Sequence, residues 1–250
     1  MKPIILNKLK QIENDYNIEI LFAVESGSRA WGFPSTDSDY DIRFIYKRKL
    51  NDYLRIDISD DFLDFEVQNE LDFKGWDIQK VLRLMLKSNS SINEYLQSPI
   101  HYIENKNFEN DLLNLVISQF NPSKVAMHYL GITTKRLIEL ENVNQIKLKS
   151  LFYALRSVLS AKWIVETQTI PPMEFKKLIH LINDKSIAKQ IEKYRLLKET
   201  VDEKFLITKD DKIFNWILDL KESLKSRTNE LSKVEFNKEK INDFFIKTIK

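Results

Sequence analysis

The spacing of apolar residues changes character along this chain. In the first hundred residues, strand-like and helix-like patterns alternate. Ile4, Ile5, Leu9 and Ile12 recur at helical intervals, which predicts an N-terminal helix packed on a sheet. IEILFAVES (18–26) is an almost unbroken apolar run closed by a turn, the pattern of a buried central strand. A loop of turn formers, GSRAWGFPSTDS (27–38), separates it from YDIRFIYK (40–47), whose β-branched and aromatic residues predict a second strand. Side chains alternate along a strand, so Tyr40, Ile42, Phe44 and Tyr46 share one face and Asp39, Asp41 and Arg43 the other. FLDFEVQ (62–68) and ELDF (70–73) predict two more short strands. WDIQKVLRLMLK (76–87) predicts a helix that buries Val81, Leu82, Met85 and Leu86.

From about residue 101 the strand pattern stops. Windows near 108–119, 122–141, 147–167, 173–182, 187–205, 211–226 and 238–248 all carry the three-four spacing of amphipathic helices. Pro122 follows Asn121 at a first helical turn, and Pro171 and Pro172 break the chain before another helix. No repeat of fixed period and no long linker is visible. The expected architecture is an α/β (α+β) N-terminal domain with a short mixed sheet, residues 1–100, followed by an all-α C-terminal helical domain, residues 101–250.

Composition narrows the chemistry. The 250 residues contain no cysteine, which removes disulfide frameworks and thiolate zinc sites, and the three histidines, His101, His128 and His180, form no H-E-x-x-H cluster. Only four glycines occur, Gly27, Gly32, Gly75 and Gly131, and neither a G-x-G-x-x-G fingerprint nor a G-K-[ST] loop is present. No stretch approaches the ~18 apolar residues of a membrane span, and the charged N-terminal helix is unlike a signal peptide. A soluble, cytoplasmic protein without a membrane partner is expected. Residues 1–100 carry 13 Lys and Arg against 17 Asp and Glu, whereas residues 101–250 carry 26 against 20. The acidic front suits a metal and the mildly basic back is compatible with a polyanion.

The chemistry concentrates between Glu25 and Tyr46. A buried strand ends at a Gly-Ser turn, and an Asp-x-Asp then opens the next strand. Asp39 and Asp41, two apart on one strand face, stand about 7 Å apart and can bracket divalent ions. Mg²⁺ prefers one or two carboxylates together with substrate phosphates. Gly27 lets the backbone approach a phosphate, and the Ser28 hydroxyl and the turn's N–H groups can donate to its oxygens. A third acid is supplied by ELDFKGWD, where Glu70 and Asp72 both qualify and Asp72 is preferred. Arg29 is placed either to meet triphosphate oxygens or to pair with Glu25 or Asp37. Trp31 and Phe33 are read as core residues before a stacking surface, and Lys80 and Arg83 as solvated helix charges.

This text resembles the nucleotidyltransferase signature of the DNA polymerase β-like superfamily. It is most similar to the RNA-repair-associated (RlaP-type) nucleotidyltransferases. The echoes are GSRAWGFPSTDSDYDIRFIY, LDFKGWDIQKVLRLMLKSN, YLQSPIHY and KLKSLFYALRSVLSAKWI, in that order across roughly residues 20–175. The resemblance implies a two-metal site with Asp39 and Asp41 as shared ligands of Mg²⁺ or Mn²⁺ and Asp72 as third carboxylate. It implies Gly27 and Ser28 as the cradle of a nucleoside triphosphate. It also raises Lys149, Tyr153 and Arg156, which share one helix face, as candidates to hold the nucleotide's base and phosphates. The chain departs from the family pattern at Ser90, Ser157 and Lys162. The implied activity is transfer of an NMP from an NTP to a hydroxyl, with an RNA end as the expected acceptor. The alternatives are AMP transfer to a protein or small molecule, and a nucleotide-binding module with degenerate catalysis.

Overall fold

Helix α1 (Lys2–Tyr16) buries Ile5, Leu9 and Ile12, the stripe the N-terminal spacing predicts, and stops at Asn17 in the left-handed region. Asparagine tolerates that conformation better than most residues. The structure, a computed structural model, describes residues 1–57 and 59–250. Strand β1 (Glu19–Glu25) follows and is buried along nearly its whole length. Next come the short helix α2 (Gly27–Trp31), β2 (Tyr40–Lys47), α3 (Leu50–Tyr53), β3 (Phe62–Asp64) and β4 (Leu71–Asp77). Helix α4 (Ile78–Leu86), α5 (Ser91–Tyr95), β5 (His101–Ile103) and α6 (Lys106–Ser118) complete this stretch. The chain then runs through α7 (Pro122–Glu141), β6 (Gln145–Lys147), α8 (Leu148–Thr167), α9 (Phe175–Leu178) and α10 (Lys185–Lys198). It ends with β7 (Leu206–Thr208), α11 (Asp211–Arg227) and α12 (Lys238–Ile249).

Strands β3-β4-β2-β1-β5 form one sheet in that order. The β2–β4 pair is parallel and the remaining neighbours are antiparallel, so the sheet is mixed as expected. The chain divides into two compact units. The first comprises Met1–Ala30, Asp39–Gln119 and Glu235–Lys250, and the second Trp31–Ser38 and Phe120–Val234. Residue 100, where the strand pattern fades along the sequence, lies inside the first unit. Strand β5 pairs with β1, and α12 returns to the same unit. There Phe244 lies 6.1 Å from Phe108 on α6 and Phe245 lies 5.3 Å from Tyr53.

Several element boundaries differ from the sequence reading for physical reasons. Residues 27–31 are helical rather than loop. The strand expected at 62–68 shrinks to Phe62–Asp64, and the one expected at 70–73 begins at Leu71 and runs to Asp77. Between them Asn69 and Glu70 both have positive φ, and Gln68 and Leu71 exchange backbone hydrogen bonds of 3.0 and 3.3 Å. That is the geometry of a two-residue hairpin turn. Helix α4 accordingly starts at Ile78, where Asp77 caps it by accepting from Gln79 N–H at 2.8 Å. In the second unit the expected helix over 173–182 is only α9 followed by a 3₁₀ turn, and the three-residue strands β6 and β7 pair where helix alone was expected. Three residues are too few to show a period.

The second unit's core centres on α8, which buries Phe152, Leu155, Leu159 and Ile164. Phe33, fully buried, stacks 5.1 Å from Phe152 and 5.5 Å from Phe175, as its core reading predicts. A polar clasp holds the rest of this loop. Lys198 Nζ donates to Ser35 Oγ at 2.8 Å, Ser38 Oγ to Glu203 at 3.1 Å, and Glu203 N–H to Asp37 at 2.8 Å. Burial pushes the Lys198 ammonium down to about 8, with Lys149 adding to that push and Glu203 and Asp37 opposing it.

Two tests of stability follow from these contacts. A Cβ on Gly75 would fall 2.2 Å from the Phe44 ring, its register partner on β2. Gly75→Ala is expected to lower stability by about 1–3 kcal/mol in urea denaturation. For Lys198, the unfolded chain binds the extra proton between pH 8 and 10.5, so stability rises with pH across that window. Lys198→Met should lose this rise, read as a flatter stability–pH curve than wild type.

Candidate active site

The site is built at one end of the sheet, entirely within the first unit. Parallel pairing of β2 and β4 sets Asp41 directly beside Asp72. Two carboxylates at adjacent positions repel unless a cation sits between them, and here that cation is Arg43. Its Nη2 donates to Asp41 Oδ1 and Asp72 Oδ2, both at 2.7 Å, and its Nη1 donates to the Asp72 carbonyl at 2.9 Å. Alternation along β2 returns Arg43 to the face of Asp41, so its own strand delivers the fork. Burial raises the pKa of Asp41, Arg43 opposes that rise, and the neighbouring Asp72 and Asp39 add to it. The Arg43 guanidinium itself is pushed up by Asp41, Tyr95 and Asp72 against the cost of burial.

Gly27 closes the other side. Its φ is +59°, and a Cβ there would lie 1.9 Å from Asp41 Oδ2. The Asp41 carboxylate therefore packs against the bare Cα, a close approach that only glycine permits. Backbone bonds fix the two segments together: Ser26 N–H donates to the Asp41 carbonyl at 2.8 Å, and Asp41 N–H donates to Glu25 Oε1 at 2.7 Å. Tyr102 on β5 donates its hydroxyl to the other oxygen of Glu25. Glu25 is fully buried, and burial is the main reason its pKa is raised.

The structure places most of the expected residues in the first unit and others in the second. Asp41, Asp72, Gly27 and Ser28 lie in the first unit, with Ser28 buried and Asp39 exposed just before β2. Glu70 is exposed, sits in the left-handed turn and offers only its carbonyl, to Tyr40 N–H at 2.7 Å. Asp72 rather than Glu70 is thus the acid that stands against Asp41. Arg29 is among the charges that oppose the rise of the Glu25 pKa caused by burial. It donates from Nε to the Asp39 carbonyl at 3.2 Å and lies 3.8 Å over the Tyr40 ring, bracing the start of β2.

Lys149, Tyr153 and Arg156 belong to the second unit. There Lys149 pairs with Glu203. Tyr153 meets the edge of Trp31 at 5.0 Å, and Arg136 stands 5.1 Å over its ring. Arg156 is buried, donates to the Met173 carbonyl at 3.3 Å and lies 4.3 Å over Trp31. The shared face read from the sequence is real and carries a run of cations and aromatic rings. The residues that sequence reasoning passed over are Arg43, placed on the acidic face but given no role, and the Glu25–Tyr102 pair. Alternation marked the first; nothing short of the β1–β5 pairing marks the second.

Among the described residues no three His, Asp or Glu side chains already converge as a metal-ligand group. The fit to a divalent cation rests on two observations. Asp72 Oδ1 is buried without a hydrogen-bond partner, and Lys74 Nζ stands 3.8 Å from it. Arg43 meanwhile occupies the position of a cation between two carboxylates. Oxygen ligands of this kind suit Mg²⁺ or Mn²⁺, and the residues fit.

A family model described as the RNA repair pathway DNA polymerase beta family, RlaP, matches residues 1–247. The chain is 35% identical over 249 residues to YcgL of Bacillus subtilis (strain 168), described as an uncharacterized protein, covering 95% of this chain and 96% of that one. A crystal structure of a nucleotidyltransferase-like protein from Exiguobacterium sibiricum is similar at a TM-score of 0.35 and 11% identity, over 90% of this chain and 75% of that one.

The packing of Asp41 on Gly27 can be tested by a double-mutant cycle. Gly27→Ala is expected to cost stability in wild type and less in an Asp41→Ala background, where the clashing carboxylate is gone. The coupling energy should be about 1 kcal/mol or more; additive effects in denaturation curves would contradict the close approach.

Proposed function

The chain belongs to the RNA repair pathway DNA polymerase beta family, and from that premise we propose that it transfers an NMP from an NTP to a hydroxyl acceptor, an RNA end. The observation that carries this reading is the Asp41–Asp72 pair, two carboxylates forced together on parallel strands beside a glycine turn.

In this reading Asp39, Asp41 and Asp72 hold Mg²⁺ or Mn²⁺, which would neutralise the triphosphate and lower the pKa of the attacking hydroxyl. The residues of the chain do the rest. Gly27 and Ser28 receive the β- and γ-phosphates at the turn, through its backbone N–H groups and the Ser28 hydroxyl. Asp72, whose Oδ1 has no hydrogen-bond partner, takes the proton of the acceptor hydroxyl. The acceptor oxygen bonds to the α-phosphorus as the bond to the β-phosphate oxygen breaks, and pyrophosphate leaves. Arg43, which donates to both carboxylates, holds Asp41 and Asp72 in place throughout.

Incubation of the purified chain with each α-³²P-labelled NTP, Mg²⁺ or Mn²⁺ and total RNA tests the reading. Label in a nuclease-sensitive species is the expected outcome. Label in a protease-sensitive species, with cell lysate as the acceptor source, would redirect the activity to AMP transfer onto protein. No label with any NTP would leave a nucleotide-binding module. Asp41→Asn and Asp72→Asn should each lower transfer about a hundredfold or more, and Glu70→Ala should leave it near wild type.

A further inference from the structure

Glu25 is a buried carboxylate that the chemistry above does not use. It ends β1, where the strand turns away into Gly27 and its backbone ladder with β2 stops. Asp41 N–H and C=O both face β1. The carbonyl still finds a backbone partner in Ser26 N–H at 2.8 Å. The N–H finds no strand carbonyl and bonds instead to Glu25 Oε1 at 2.7 Å. An unpaired buried amide would be costly, so the carboxylate substitutes for the missing rung. Its second oxygen accepts from Tyr102 on β5, and its own backbone is held by Ser98 Oγ, which donates to the Glu25 carbonyl at 2.7 Å, and by the Ile100 carbonyl, 2.9 Å from Glu25 N–H. One side chain thus ties three strands together at the end of the sheet that carries the acids.

We propose that Glu25, held by Tyr102, is a positioning residue that sets the Asp41 carboxylate for divalent-metal binding. The inference rests on the metal reading of Asp41. Hydrogen-bond partners that orient a metal-binding group typically govern affinity by about 10–100-fold. The Asp41 side chain has little freedom of its own, being wedged between Gly27 and Arg43. Its backbone position therefore decides where its oxygens lie, and Glu25 sets that position from the β1 side.

The test is Mn²⁺ binding to the full-length protein without nucleotide, followed by loss of the free-ion EPR signal, with thermal unfolding of each variant alongside. Asp41→Asn is the control and is expected to abolish binding. Glu25→Ala should weaken Mn²⁺ affinity about tenfold or more. Glu25→Gln, whose amide oxygen can still accept from Asp41 N–H, should recover most of it. Tyr102→Phe, which removes only the distant hydroxyl, should fall between them and keeps the inference testable if Glu25→Ala does not fold. Wild-type affinity in Asp41→Asn would bring down the metal reading and this inference with it. Loss in Asp41→Asn but wild-type affinity in Glu25→Ala or Tyr102→Phe would overturn the inference alone. Equal loss in Glu25→Gln and Glu25→Ala would also overturn it, because the effect would then follow charge rather than the hydrogen bond.

Discussion

The rest of the first unit is arranged around one contact, the guanidinium of Arg43 shared between Asp41 and Asp72. Parallel pairing of β2 and β4 places the two acids side by side, and neither acid is well solvated. Removing the cation from such a group leaves uncompensated buried charge, an imbalance worth about 3–5 kcal/mol in comparable sites. Arg43 is therefore a condition for the site's existence as well as a neighbour of it. The same fork holds the Asp72 carbonyl, so it fixes β4 as well as the side chains that β4 presents.

Around that contact the scarcity of glycine takes on meaning. In a chain with four glycines, Gly27 admits the Asp41 carboxylate and Gly75 admits the Phe44 ring. Both lie where β2 meets a neighbour, one at β1's end and one on β4. Strand β2 is thus pressed closely from both sides, with its polar face against Gly27 and an apolar ring against Gly75. A Cβ at either position would push the same strand.

Much of this was legible in the sequence, and the reasons differ by element. The unbroken run 18–26 and the alternation over 40–47 identified β1 and β2 and put Asp41 and Arg43 on one face. The choice between Glu70 and Asp72 was not decidable from alternation, because both share a parity. The Asn69–Glu70 turn, whose positive φ values remove Glu70 from the strand, leaves Asp72 as the acid beside Asp41. The pairing of Glu25 with Tyr102 was invisible because β5 is three residues long and lies in a region with helical spacing. Likewise the membership of α12 in the first unit depends on Phe244 and Phe245 meeting rings far away in the chain. Periodicity reports which face is buried and says nothing of what buries it.

The parallel register of β2 and β4 also bears on how the molecule comes to be. A parallel pair cannot close through a tight turn; its crossover here includes α3 and β3, and such non-local pairing forms only after a loop-closure cost has been met. Asp41 and Asp72 are strangers until that moment. Neither α1 with β1, nor β2 alone, nor the hairpin of β3 and β4 contains a site. A nascent or partly unfolded chain therefore does not yet hold the Asp41–Asp72 pair, which arrives together with the completed sheet.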